Sequence, residues 1–157
     1  MRPKGTTELG VTLIEMMVVL ALIAIIAGIS YPAVSSGVDS VRLSSAADSV
    51  AALMQSTVNR AERRQELMEI SISRQDHAIA ASGVNYQKRL DLPEGVMIAE
   101  IFPTIPVDPT VVRRFLIYPG GAPPRIGLRI ANERGAQRLI SLDPITGIPR
   151  IERAQTK

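Results

Sequence analysis

The feature that most constrains this chain is an apolar run from Val11 to Ser30, 20 residues with a single charge, Glu15. A helix rises about 1.5 Å per residue, so a run of this length spans roughly 30 Å, the hydrocarbon thickness of a bilayer. A carboxylate inside such a run costs on the order of a few kcal/mol when it faces lipid, so it marks a function rather than an anchor alone. Glu15 stands near the start of this run. There the positive end of the helix also favours an acid. A carboxylate among packed helices needs a cationic partner.

The flanks orient the run. Arg2 and Lys4 precede it with Glu8 as the only acid there, and after Glu15 the next charge is Asp39. This bias holds the N-terminus in the cytoplasm and sends the remainder across the inner membrane. A secretory signal peptide cleaved near Ala33-Val34-Ser35 is the competing reading. The run is longer than the usual apolar core of about 7–15 residues and contains an acid, which argues against it.

Gly10-Val11-Thr12-Leu13-Ile14-Glu15, followed by Met16-Met17-Val18-Val19-Leu20, resembles the class III signal of type IV pilins and type II secretion pseudopilins. The resemblance implies cleavage by a prepilin peptidase after Gly10 and N-methylation of Val11. It also implies a Glu15 that pairs between subunits and sets their register, with other pilins or pseudopilins as partners. The family usually has Phe where this chain has Val11. Cleavage at Gly10 also suits a protease needing little bulk beside the bond.

Beyond the run, Val34, Val38, Val41, Leu43, Ala46, Ala47, Val50, Met54, Val58 and Ala61 recur at helical spacing, with polar residues between them. One helix of about 50 residues, roughly 75–80 Å, is expected from Thr12 to near Arg64. Pro32 removes a donor and crowds the carbonyl of Gly28, so a kink or local melting is expected there. The period then changes to two. Met68–Ile72, His77–Ala80, Val96–Ile101, Arg113–Tyr118, Ile126–Ile130, Arg138–Leu142 and Ile148–Ile151 read as short strands between Gly/Pro/Asn/Asp turns. Tyr86–Arg89 is ambiguous, and Pro103, Pro106 and Pro109 mark a loop. From Arg113 onward the strands are expected to form an antiparallel meander.

The expected class is therefore α+β: a long N-terminal helix whose first half spans the membrane and whose second half packs on an antiparallel sheet. The expected divisions are a leader (1–10), a transmembrane half-helix (11–32), an amphipathic periplasmic half-helix (33–65) and a β domain (66–157). Leu92-Pro93-Glu94-Gly95-Val96, the Gly/Pro turn before a strand pair and Asp143-Pro144-Ile145-Thr146-Gly147 loosely resemble H-type (GspH/FimT-like) minor pseudopilins and FimT/FimU minor pilins. That resemblance implies a minor pseudopilin of a type II secretion pseudopilus. The alternative is a type IV minor pilin serving pilus assembly or DNA uptake.

The DNA reading rests on charge. Val111–Lys157 holds nine Lys/Arg against three Asp/Glu, with Arg113, Arg114, Arg125, Arg129, Arg138, Arg150 and Arg153 as candidate contacts. The Gly-Arg-x-Arg motif of DNA-binding relatives is replaced here by Gly147-Ile148-Pro149-Arg150, and aromatics are only 3% of the chain, few for base stacking. Solvated strand faces account for the arginines more simply. No enzyme, cofactor or metal is expected. Without cysteine there is no disulfide or thiolate zinc site. The lone His77 beside Asp76 reads as turn chemistry, and Asp143 by itself falls short of the six to eight oxygens calcium takes.

Overall fold

The computed structural model describes residues 12–154 other than 107 and 109, excepting the side chains of 29–36 and 154. One helix, α1 (Leu13–Arg64), is followed by eight strands: β1 (Met68–Ser73), β2 (Ala78–Gly83), β3 (Tyr86–Asp91), β4 (Val96–Phe102), β5 (Arg113–Ile117), β6 (Gly127–Asn132), β7 (Gln137–Leu142) and β8 (Pro149–Ala154). The chain divides into two compact units, Met1–Gly37 and Val38–Lys157.

Both ends of α1 are capped. Thr12 Oγ1 accepts from Glu15 N at 3.3 Å, which satisfies one of the first-turn donors. At the other end Arg63 and Arg64 sit in the last turn, where cations complement the helix dipole. Gln65 turns left-handed (φ 53), and Glu66 N returns to Ala61 O at 3.3 Å, the six-to-one bond that closes many helices. Gly28 and Pro32 both lie within the helix, which is continuous past them.

In the second unit the helix buries Leu43, Ala46, Ala47, Val50, Leu53, Met54, Thr57, Val58 and Ala61. This is the anticipated stripe with its start corrected. Val38 and Val41 are 43% and 68% exposed, because about 100° per residue carries them away from the Leu43–Val50 face. The side chain of Val34 lies outside the described residues. Buried Thr57 satisfies its hydroxyl within the helix, donating to Leu53 O at 2.7 Å.

The strands form two four-stranded antiparallel sheets, ordered β3-β2-β1-β5 and β4-β6-β7-β8. Of the strands from Arg113 onward, β6-β7-β8 alone form a meander. The expected run from β5 into β6 is broken: β5 pairs with β1, and β6 pairs with β4. The proline-rich connections on either side of β5 are too long to force hairpins, so the chain changes sheets twice. The ambiguous Tyr86–Arg89 stretch is a true strand, β3, joined to β2 by a two-residue turn in which Asn85 takes φ 53. Ile70, Ile72 and Ile79 of one sheet join Ile98, Leu128, Ile130 and Ile140 of the other and the helix stripe in one hydrophobic core. Burying such side chains is worth about 1.5–3 kcal/mol each and supplies most of the drive to fold.

Polar contacts fasten the periphery. The Asp39 carboxylate pairs with Arg134 of the β6–β7 turn at 2.8 Å. Near the helix end, Glu62 accepts from Gly120 N at 3.0 Å. Arg60 lies 4.2 Å from the Tyr86 ring centroid and pairs with Glu66 at 2.7 Å. The outer edge of β4 is closed by guanidinium groups from the other sheet: Arg74 donates to Ala99 O at 2.7 Å, and Arg113 to Ile101 O at 3.5 Å and Pro103 O at 3.1 Å.

Candidate functional sites: the apolar helix and the arginine-bearing sheet

The first turn of α1 combines two of the residues singled out in the sequence. Thr12 caps the helix through the backbone of Glu15, so Thr-Leu-Ile-Glu has the spacing of a capping box. That role of Thr12 was missed from the sequence, although the T-x-x-E spacing signals it. Glu15 is exposed, and no ion pair involves it among the described residues. The remainder of the segment is apolar on every side. From Leu13 to Ile26 every large apolar side chain is exposed, from 44% at Val19 to 80% at Leu13. A helix without a polar face is covered by lipid or by other helices when it functions. Among the described residues no helix is long and apolar enough to cross a membrane. The expected span, 11–32, extends past the described side chains at both ends. Gly10 and Val11 also lie outside the described residues.

Strand register sorts the C-terminal arginines. Residues directly opposite in an antiparallel pair share a face, and neighbours along a strand alternate. Arg129, opposite Leu139, shares the outer face of the β4-β6-β7-β8 sheet with Arg150, opposite Ser141. Arg138 and Arg153 oppose one another on the other face, in the row of buried Ile130. The four residues therefore do not form one patch.

Most of these arginines are also engaged. Arg129 meets Glu100 at 2.8 Å and lies 5.1 Å from the Phe102 ring centroid. Arg150 meets Asp143 at 2.8 Å. Arg114 approaches Glu69 at 3.8 Å, Arg138 reaches the carbonyl of Gln137 at 3.3 Å, and Arg113 caps β4 while lying over Phe115. Arg125 makes none of these contacts and lines a trough of about 640 Å³ on the outer face.

The turn residues behave as turn residues. Asp76 accepts from Ser73 Oγ at 2.7 Å, and His77, at φ 48, takes the left-handed corner of the β1–β2 turn. The Asp143 carboxylate accepts from the backbone of Ile145 at 2.9 Å and of Thr146 at 3.0 Å. The Thr146 and Ile145 donors, with a smaller contribution from Arg150, favour the ionised form and hold its pKa below the ordinary carboxylate value. The Asp108 carboxyl is lowered likewise by the backbone and hydroxyl of Thr110. Among the described residues no group of three His, Cys, Asp or Glu is placed to hold a metal ion.

Residues 6–31 match the family model for the prokaryotic N-terminal methylation motif. The match takes in Glu15 and the whole apolar run from Val11 to Ser30, and supports a type IV pilin-like protein, a structural subunit rather than an enzyme. No curated protein and no solved structure matches the chain. The α+β architecture, an N-terminal helix packed on antiparallel sheet, agrees with a pilin-like fold.

Proposed function

We propose that this protein is a minor pseudopilin, a structural subunit of a type II secretion pseudopilus that takes part in protein export. The observation that carries the reading is the coincidence of the methylation motif over 6–31 with a helical segment from Leu13 to Ile26 that is apolar on all sides and whose one charge is Glu15. In this reading prepilin peptidase removes residues 1–10 by cutting after Gly10, and Val11 becomes the methylated N-terminus. Residues 11–32 lie in the inner membrane with the N-terminus cytoplasmic. Residues 33–65 and the β domain (66–157) stand in the periplasm. Gly28 and Pro32 supply a bend where the helix leaves lipid. Subunits then leave the membrane for a periplasmic filament by packing these helices against one another, and Glu15 pairs with the Val11 amine of a neighbour.

A type IV minor pilin uses the same processing and the same helix. The two are separated by co-purification from membranes with either the secretion or the pilus assembly machinery. The split of Arg129 and Arg150 from Arg138 and Arg153, and the carboxylates bound to the first pair, weigh against nucleic acid as the partner. Intact-mass analysis of protein from membranes tests the processing: a chain starting at methylated Val11 is expected. A chain starting near Ser35 would overturn the reading in favour of a secretory signal.

A further inference from the structure

The outer face of the β4-β6-β7-β8 sheet carries a feature that filament assembly through the helix does not use. Across its four strands one row reads Phe102, Gly127, Ser141, Arg150. The two small residues in the middle make a floor between a ring and a guanidinium. Phe102 leans over Gly127, where an added Cβ would lie 3.0 Å from Phe102 Cβ. The result is the trough of about 640 Å³, with apolar surface from Phe102, Pro103, Leu139 and Pro144. Strands are about 4.8 Å apart, so four strands span roughly 14 Å, the length of about four extended residues.

Two of its arginines have donors to spare. Arg129 gives one terminal nitrogen to Glu100, but its buried Nε has no partner. Its side chain is nevertheless a third exposed, through the rest of the guanidinium. Arg125 lines the same trough with no hydrogen bond or ion pair of its own. Arg150 is already committed to Asp143.

We propose that this trough binds an extended peptide segment of another protein, about four residues long, in which one Asp or Glu is flanked by apolar side chains. The ligand's carboxylate meets Arg125 and the exposed end of the Arg129 guanidinium, and its neighbours rest on Phe102 and Leu139. A peptide fits better than a polyphosphate. Glu100, Asp143 and Glu152 stand among the three arginines, so a run of phosphates would meet as many fixed negative charges as positive ones. A lone carboxylate requires only the two arginines with donors to spare. Apolar walls add nothing for a phosphate backbone, whereas they bury a peptide's side chains.

The test uses the full chain in detergent micelles and a fluorescein-labelled peptide, acetyl-Leu-Pro-Glu-Leu-Val-amide, followed by anisotropy. Saturable binding is expected, with about a tenfold loss when the peptide's Glu is replaced by Gln, and a similar loss for Arg125→Gln. Ser141→Phe fills the floor without touching a charge and should abolish binding. Should that variant misfold by circular dichroism, Arg125→Gln decides, since Arg125 is exposed and holds no contact. Equal binding of the Gln peptide, insensitivity to Arg125→Gln, or no saturation at millimolar peptide would each overturn the proposal. So would displacement of the peptide by short duplex DNA with a steep salt dependence, which would make the trough a phosphate site.

Discussion

Gly147 ends the β7–β8 turn at φ +68, and a Cβ built there lies 3.1 Å from Val58 Cγ1 and 3.2 Å from Pro123 Cγ. Gly95 also has positive φ, +81, but a Cβ there meets nothing within 4 Å. The two positions separate backbone strain from packing. Gly95→Ala should cost only the left-handed conformation, about 1–2 kcal/mol. Gly147→Ala should cost that and the displacement of the helix and loop beside it, about 1–3 kcal/mol more for an overpacked site. With about 4 °C lost per kcal/mol in a domain of this size, the Gly95 variant should melt roughly 4–8 °C lower and the Gly147 variant roughly 8–20 °C lower. The assay is urea and thermal unfolding of the fragment from Val34 onward, followed by circular dichroism. Adding Val58→Ala removes the methyl group that Gly147→Ala strikes. The double variant should therefore be more stable than the sum of single effects by about 1 kcal/mol. Equal losses at Gly95 and Gly147, or strict additivity with Val58→Ala, would refute the close approach of turn and helix.

The fragment from Val34 onward should itself be soluble and unfold cooperatively, since the core from Leu43 to Leu142 needs nothing from the apolar segment; an aggregating product with no cooperative melt would contradict that. Glu15→Gln should insert and be cleaved like the parent, because its span is only more apolar and Gly10 is intact, yet crosslink less to other pilin-like subunits. If Glu15→Gln and Glu15→Lys both assemble normally, the charge pair is wrong. The Asp143 carboxyl is lowered by the Thr146 and Ile145 amides, so its ionised form contributes stability above the unfolded value near 3.8. That contribution disappears as pH falls through the folded value. Asp143→Asn should accordingly be less stable than the parent at pH 7, with the gap closing below pH 4; a gap that widens on acidification would count against the turn's donors.

What was legible in the sequence followed periodicity and local chemistry. The Leu43–Ala61 stripe repeats every three to four residues, and Met68-Ile70-Ile72 alternates, so both announced their buried faces. Val38 and Val41 were over-read, because an apolar residue five places before Leu43 points away from the stripe as readily as into it. The β3 strand stayed ambiguous because an edge strand such as Tyr-Gln-Lys-Arg-Leu-Asp solvates most of both its faces and needs no alternation. The change of sheets around β5 left no trace, since Pro-rich loops specify that a hairpin is avoided but not which strand is met next. The engagement of the arginines was hidden for a related reason. Glu100 and Arg129 are 29 residues apart and become neighbours only through the β4–β6 register. A count of cations in the C-terminal third therefore overstated the charge offered to a partner.

The guanidinium caps on β4 have a further consequence. An uncapped outer strand presents a ladder of unpaired carbonyls and amides, which templates strand addition from any molecule nearby. A subunit held beside others in a filament, as proposed above, is more exposed to that hazard than a dilute protein. Arg74 and Arg113 occupy the carbonyls of Ala99, Ile101 and Pro103 from within the molecule, so along that edge an incoming strand must displace two cations before it gains a bond. In the reading proposed above, this closes the β4 edge to lateral strand addition and leaves association to the apolar helix.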